Sequence, residues 1–168
     1  QGLGDLIDCN GMTRYFQKML GKPLGVFVKQ KNFKLVCHMY RDNPDIVPIQ
    51  IPRIQECIEV NKYIEEHHPL HDAKLINVGH GTDVSKIMHE SGKNCWEIFY
   101  ELAKVPLDIR FKMFYVLRDV AEENRILQKL TAGERFVFVH DDPTRNVVIE
   151  PNTSKRIVKN DITENPFH

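Results

Sequence analysis

The chain of 168 residues is 42% hydrophobic and 27% charged, which is typical of a folded globular protein and excludes a disordered segment. Lysine plus arginine equals aspartate plus glutamate, 23 of each, so the overall charge gives no basic field for nucleic acid or anionic lipid. No apolar run reaches the ~20 residues of a membrane span, and the first residues lack the pattern of a secretory signal. The four cysteines are widely spaced and are interpreted as reduced thiols, which predicts a cytoplasmic protein.

Helices and strands alternate along the sequence. Apolar residues at helical spacing predict the helices, and compact apolar runs predict the strands. Gly21 is a helix stop, Asn32 and Asp119 are candidate caps, and Pro48 places its strand at an edge or a strand start. The predicted elements are a helix at 5–20, a strand at 24–29, a helix at 32–41, a strand at 47–51, a helix at 53–66, a strand at 74–78, helices at 94–104 and 119–131, and strands at 135–139 and 147–149.

Strands and helices joined by short connections are typical of an α/β fold, a parallel sheet with helices on both faces. The character of the sequence changes near residue 132, where a helix closes and a strongly apolar strand begins. The sequence therefore predicts a first domain over residues 1–131 and the incomplete start of a second α/β domain over residues 132–168. Almost nothing precedes the first helix, so the first strand of the sheet is expected to be missing from this chain.

A glycine-rich turn opens the chain. Gly2 and Gly4 allow close approach of a backbone to a ligand, and the helix that follows directs unpaired N–H groups toward whatever lies above the turn. Asp5 is then expected at the carboxyl edge of the sheet, where open α/β folds bind ligands. The alternative is that Asp5 only caps the helix and Gly4 only makes the turn. A dinucleotide fingerprint is excluded because Ile7 stands where a third glycine is needed.

A second polar segment follows the predicted strand at 135–139. Thr144 and Arg145 in this segment are candidates to hold a phosphate, since arginine offers a forked set of donors. The alternative is a β-turn with solvated charges. The segment reads Val139-His140-Asp141-Asp142-Pro143-Thr144-Arg145.

A histidine-rich segment suggests a metal site at first sight. His67 and His68 are adjacent and cannot easily converge on one ion, and the ligand spacings of known zinc sites are absent. We therefore predict that His67, His68 and His71 bind no metal. The sequence also lacks a nucleophile elbow, a P-loop and a zinc-protease motif. Three further residues near a glycine-containing loop are candidates to line a site: His80, Asp83 and His89.

Several short motifs resemble glycosyltransferases of the group that includes the ADP-heptose lipopolysaccharide heptosyltransferases. They occur in the expected order between residue 2 and about residue 145. The motifs are Gly2-Leu3-Gly4-Asp5, Cys9-Asn10-Gly11 with Arg14, Trp96 to Ala103 with Val105-Pro106, Phe114-Tyr115-Val116 with Arg118-Asp119, and Phe138 to Pro143.

The resemblance implies the GT-B architecture, in which two Rossmann-like domains face a cleft. The amino-terminal domain holds the acceptor and the carboxyl-terminal domain holds the nucleotide-sugar. The catalytic base falls on Asp5, and Arg145 is a candidate to stabilise the departing diphosphate. No metal or cofactor is implied. The other candidate ligand-binding residues are Gly2, Gly4, Asn10, Arg14, His140, Asp141, Asp142 and Thr144.

On this hypothesis the chain is a fragment of a glycosyltransferase that is inactive by itself. Its partners are a nucleotide-sugar and a glycan or lipopolysaccharide-type acceptor, without nucleic acid. A homo-oligomer is expected as well, because a sheet that lacks a strand tends to recruit another chain. Two alternatives stay open. One is a non-catalytic Rossmann-like module that binds a phosphorylated small molecule or a partner chain, and the other is a hydrolase or metal enzyme that uses the histidine-rich loops.

Overall fold

The computed structural model describes residues 2–52, 56–68, 74–79, 81–141 and 147–159, and it shows a mixed α/β chain. The chain divides into two compact units, residues 1–117 and 118–168. Among the described residues, no helix is both long enough and apolar enough to cross a membrane. The elements are α1 (Leu3–Asp8), α2 (Asn10–Leu20), β1 (Leu24–Lys29), a 3-10 turn (Gln30–Asn32), α3 (Phe33–Met39), β2 (Ile46–Ile51), α4 (Glu56–His67), α5 (Val84–Ser91), α6 (Cys95–Leu102), α7 (Ile109–Lys112), α8 (Val120–Thr131), β3 (Phe136–Val139) and β4 (Arg156–Lys159).

The first unit contains a strand–helix–strand repeat. Strands β1 and β2 pair in parallel, in a register that runs from Leu24 opposite Ile46 to Lys29 opposite Ile51. Helix α3 connects them, as a parallel pair requires a crossover. Its Val36 packs with Val28 of β1 in a core in which both side chains are buried, and each such valine contributes about 1.5–3 kcal/mol. The other members of this core are Leu6, Met39, Tyr40 and Ile46.

A second core joins α2 and α6, and α7 packs closely on α2. The buried members of this core are led by Met12, Phe99 and Tyr100. A Cβ atom at Gly11 would lie 2.5 Å from the carbonyl oxygen of Ile109. The two backbones therefore approach so closely that only glycine fits at this position of α2.

A side-chain hydroxyl separates α1 from α2. In a continuous helix, the Met12 N–H would donate to the carbonyl oxygen of Asp8, four residues earlier. Instead, the Tyr100 hydroxyl accepts from Met12 N at 3.2 Å and donates to Asp8 O at 3.1 Å. A group inserted into the backbone ladder is a recognised cause of a helix break, and it explains why the predicted helix at 5–20 is two helices.

The second unit combines α8 with another parallel pair of strands. Asp119 caps α8, since its carboxylate accepts from Glu122 N at 3.0 Å, and the helix ends at Ala132 in a left-handed conformation. Strands β3 and β4 pair in parallel, from Phe136 opposite Arg156 to Val139 opposite Lys159. Helix α8 contacts β4 and belongs to this unit, so the compact unit begins earlier in the chain than the boundary predicted at residue 132.

Most predicted elements are confirmed. Strand β1 has the predicted bounds, β2 and β3 differ from the predicted strands by one residue at the start, and α4, α6 and α8 lie within or close to the predicted ranges. Gly21 ends α2 in a left-handed conformation, as expected of a glycine stop. Both observed pairs of strands are parallel, as predicted for the sheet, although β4 was not a predicted strand. The described residues form two separate two-stranded sheets.

Two expectations are wrong. Residues 74–78 form no strand and lie in an irregular segment, although their composition is apolar. The partner of β3 is β4, in the polar tail, whereas residues 147–149 contribute a single bridging residue, Val147. The helix predicted at 32–41 is observed as α3, with Asn32 at its cap position but without a side-chain cap hydrogen bond.

Candidate functional site

Asp5 lies in the first turn of α1, half-buried. Its Oδ2 accepts a hydrogen bond from Gly2 N at 2.7 Å, which is the geometry of a helix cap. Gly4 lies inside α1 rather than in a turn, and no atom lies within 4 Å of a Cβ placed on it. The expectation that Gly4 makes the turn is therefore wrong, because Gly2 is the residue that precedes the helix.

Two cysteines lie close to the carboxylates of α1. Burial, followed by the negative charges of Asp5 and Asp8, raises the pKa of Cys9 to about 12. Burial and the same carboxylates also raise the pKa of Cys95. Both thiols therefore stay protonated at neutral pH, and they are neither nucleophiles nor metal ligands in this state. Their electrostatic contacts show that α1 and the start of α6 converge beside Asp5.

An arginine from α7 joins this region. Arg110 donates to Oδ1 of Asp8 through Nε at 3.1 Å and through Nη2. Its guanidinium also lies 4.7 Å from the ring centroid of Trp96 and 5.0 Å from that of Phe111, within the range of a cation–π contact. Phe111 is 71% exposed, so the group reaches the surface. We name Asp5, Asp8, Trp96, Arg110 and Phe111 the acidic–aromatic cluster.

Asn10 and Arg14 form a separate, internal network. The Asn10 Oδ1 accepts from Tyr115 N at 3.0 Å, and Arg14 donates to both carboxylate oxygens of Asp42 at 2.8 and 2.9 Å. The Arg14 guanidinium also lies 5.5 and 5.2 Å from the rings of Tyr40 and Tyr115. These contacts hold neighbouring segments of the first unit together. Ligand binding by Asn10 and Arg14 stays a prediction.

Charge and burial tune the titratable groups of this internal network. The Arg14 guanidinium, bonded to both carboxylate oxygens, holds the pKa of Asp42 below its usual value. Burial raises the pKa of Tyr40 to about 12. In the described part of the chain, Asn10 Nδ2 and Arg14 Nε are buried without a hydrogen-bond partner. The Asp42 carboxyl group is thus ionised and the Tyr40 hydroxyl group is neutral, while two buried donors lack a hydrogen-bond partner among the described residues.

The polar segment after β3 is described only in part. Asp142, Pro143, Thr144 and Arg145 lie outside the described residues. Asp141 accepts from Lys159 Nζ at 2.7 Å and from Ile149 N at 2.9 Å, and Lys159 lowers the pKa of this carboxyl group. Asp141 therefore ties the end of β3 to the end of β4, while His140 is exposed.

The histidines have local contacts where the structure describes them. The His67 Nδ1 lies 2.9 Å from the Tyr63 carbonyl oxygen, and the two rings stack with centroids 4.0 Å apart. Asp83 caps α5 by accepting from Lys86 N at 3.0 Å. His71 and His80 lie outside the described residues. Within the described ranges, no three His, Cys, Asp or Glu side chains are grouped as a metal site; the absence of metal stays a prediction.

Sequence reasoning identified Asp5 but missed the residues that surround it. Asp5 and Asp8 are three residues apart in one helix, a spacing that places side chains on the same face and could have revealed the pair. Arg110 carries no such local signal, because the packing of α7 on α2 places it. No family model, curated protein or solved structure matches the chain significantly. The acidic–aromatic cluster is therefore interpreted from its own chemistry, and partners and self-association stay predictions.

Proposed function

We propose that this chain is the acceptor-side part of a GT-B glycosyltransferase, with the Rossmann-like plan that its motifs resemble. The enzyme would move a sugar from a nucleotide-sugar to a glycan or lipopolysaccharide-type acceptor. The observation that carries the proposal is the half-buried carboxylate of Asp5, one helical turn before Asp8, which bonds to Arg110 beside Trp96. This combination offers a base, a hydrogen-bonding ion pair and a flat apolar ring on one surface.

Asp5 has the chemistry of a general base in this reaction. Gly2 N holds Oδ2, and Oδ1 has no hydrogen-bond partner among the described residues. An acceptor hydroxyl can donate to that oxygen. As the hydroxyl oxygen bonds to the sugar carbon of the donor, its proton passes to Asp5 and the bond to the nucleotide diphosphate breaks. The diphosphate leaves with the electron pair of that bond, and a cationic group is needed to stabilise its charge.

Trp96 and Arg110 have the chemistry to orient a sugar acceptor. An indole ring packs against the C–H face of a pyranose, which buries apolar surface of the sugar. Arg110 is held by Asp8 through two nitrogen atoms, while Nη1 has no hydrogen-bond partner in the described part of the chain. That nitrogen is suited to an acceptor hydroxyl or phosphate, since arginine donors match oxygen pairs.

The test is the substitution Asp5→Asn in the complete polypeptide encoded by the reading frame that contains this chain. Release of nucleoside diphosphate from a panel of nucleotide-sugars is measured with and without glycan acceptors. The asparagine side-chain oxygen can still accept from Gly2 N but cannot take the proton, so turnover should fall by roughly 10²–10⁴-fold with only a small change in melting temperature. Asp119→Asn, at the cap of α8, is the matched control and should retain turnover.

A second candidate is a non-catalytic α/β module that binds a phosphorylated small molecule or a partner chain. The bond from Gly2 N to Asp5 favours it, because a helix cap alone explains this geometry. On that alternative, no nucleotide-sugar is consumed by the complete polypeptide. If the enzyme is active and Asp5→Asn has near-normal turnover, the proposed transferase activity stands and Asp5 is not its base.

A further inference from the structure

An open apolar groove lies in the first unit, at the carboxyl-terminal ends of α2 and α6. Its volume is about 360 Å³, and the irregular segment 74–77 forms one side. Several of its apolar side chains are exposed, with Met19 at 56% and Leu75 at 50%. The lining residues are Phe16, Met19, Leu20, Lys74, Leu75, Ile76, Asn77, Leu102, Ala103 and Lys104.

The charges of this groove have one sign. Lys74 and Lys104 are its charged lining residues, and no acidic side chain lines it among the described residues. Neither lysine has an ion-pair partner in the described part of the chain. A groove lined by apolar side chains and by two exposed lysines is complementary to a molecule that is apolar along its length and anionic at one end.

Lys104 occupies a backbone conformation that normally favours glycine. Its φ angle is +56°, and it follows the cap residue of α6. The Lys104 N–H donates to Glu101 O at 3.0 Å and the Val105 N–H donates to Tyr100 O at 2.9 Å, which is the Schellman arrangement in which glycine is usual. A side chain kept at a strained position is evidence for a role of that side chain.

We propose that this groove binds a single-chain fatty acid, with the acyl chain on the apolar floor and the carboxylate between Lys74 and Lys104. With about 360 Å³ and an open side, the groove has room for an acyl chain of medium length, and dodecanoate is the probe. Lysine ammonium groups supply charge-assisted hydrogen bonds to the carboxylate.

The groove is distinct from the acidic–aromatic cluster. Cys9 and Cys95 lie beside that cluster, at the starts of α2 and α6, whereas Leu20 and Leu102 line the groove at the ends of the same helices. Helix α2 has 11 residues, so its ends are separated by about 16 Å at 1.5 Å per residue. The inference consequently does not depend on sugar transfer.

The test is a calorimetric titration of the full chain with dodecanoate below its micellar concentration. We expect saturable one-to-one binding, weaker for decanoate by on the order of tenfold, because two methylene groups leave the groove. Dodecanol and dodecyltrimethylammonium should bind at least tenfold more weakly, because they lack the anionic end. Chemical shifts of the Met19 methyl group should change with the same binding curve.

The substitution Lys104→Gly distinguishes a loss of dodecanoate binding from a loss of folding. The substitution removes the charge and relieves the left-handed strain, so dodecanoate affinity should fall about tenfold while the melting temperature rises or stays equal. Lys74→Gln should weaken binding similarly, and Lys34→Gln, on the exposed face of α3, should not change it. No saturable binding, equal affinity for dodecanol, or unchanged affinity in both groove variants would each overturn the proposal. Dimerisation abolished by Leu75→Gln would overturn it too, by showing that a second copy is the occupant.

Discussion

Tyr100→Phe removes only the hydroxyl group that separates α1 from α2. That hydroxyl makes two buried hydrogen bonds, to Met12 N and to Asp8 O, and burial raises its pKa, which keeps it protonated as a donor. If the two backbone groups then bond to each other, one hydrogen bond replaces two, at a net loss of about 1 kcal/mol. If the break persists, both groups stay unpaired, at about 1–3 kcal/mol each.

We therefore expect Tyr100→Phe to lower the free energy of unfolding by about 2 kcal/mol, which corresponds to about 8 °C in melting temperature for a unit of this size. Urea denaturation measures the loss, and hydrogen exchange of the Met12 amide decides between the two outcomes. Protection of that amide in the variant means that the helix has closed. Tyr15→Phe is the control, because the Tyr15 hydroxyl has no partner among the described residues. A change below about 0.5 kcal/mol in Tyr100→Phe would refute the reasoning.

Two further substitutions and one control, Gly4→Ala, test the packing and the internal ion pair. Gly11→Ala places a methyl group 2.5 Å from a backbone oxygen of α7. We therefore expect urea denaturation to show a free energy of unfolding that is lower by about 2 kcal/mol. Gly4→Ala has open space around it and should raise the free energy of unfolding by up to ~1 kcal/mol. Asp42→Asn leaves Arg14 buried without its partner and should cost about 3 kcal/mol at neutral pH. Because the folded-state pKa of Asp42 is lowered, its stabilisation is complete above about pH 4 and is lost as the pH falls through the folded value. Urea denaturation at a series of pH values between 2 and 7 should show that Asp42→Asn loses less stability toward acid pH than the unsubstituted protein. An equal loss in both proteins would contradict the ion pair.

Local sequence signals predicted most of the elements, but not α5, α7 or β4 and not the assembly of the elements. The apolar run of β1, the glycine after α2 and the Asp119 cap each determine structure within a few residues, and each is confirmed. Strand β4 was missed because four residues in a polar tail carry almost no periodic signal, and only pairing with β3 makes them a strand. Residues 74–78 form no strand, and only Val78 of this segment packs against the second core, while Leu75 is exposed.

The candidate site was also predictable only in part, because local signals indicated Asp5 but not the residues from other helices. The Gly2–Asp5 segment marks a helix start in any sequence, so Asp5 stands out without a structure. Trp96 and Arg110 come from other helices: Arg110 bonds to Asp8 from α7, which packs against Gly11, and Trp96 of α6 contacts Arg110. That convergence depends on tertiary contacts between distant segments, which periodicity and spacing cannot report.

The helix break at Tyr100 also bears on the order in which the first unit folds. The hydroxyl and its Asp8 partner are 92 residues apart in the chain, whereas β1, α3 and β2 are consecutive. Closing a long loop costs entropy before its contacts form, so the strand–helix–strand repeat can form early and the α1–α2 junction only after α6 has docked. We expect that, until then, Asp8 O and Met12 N bond to each other within an uninterrupted helix. The direction of α1, and with it the position of Asp5, is consequently one of the last features of the unit to be established.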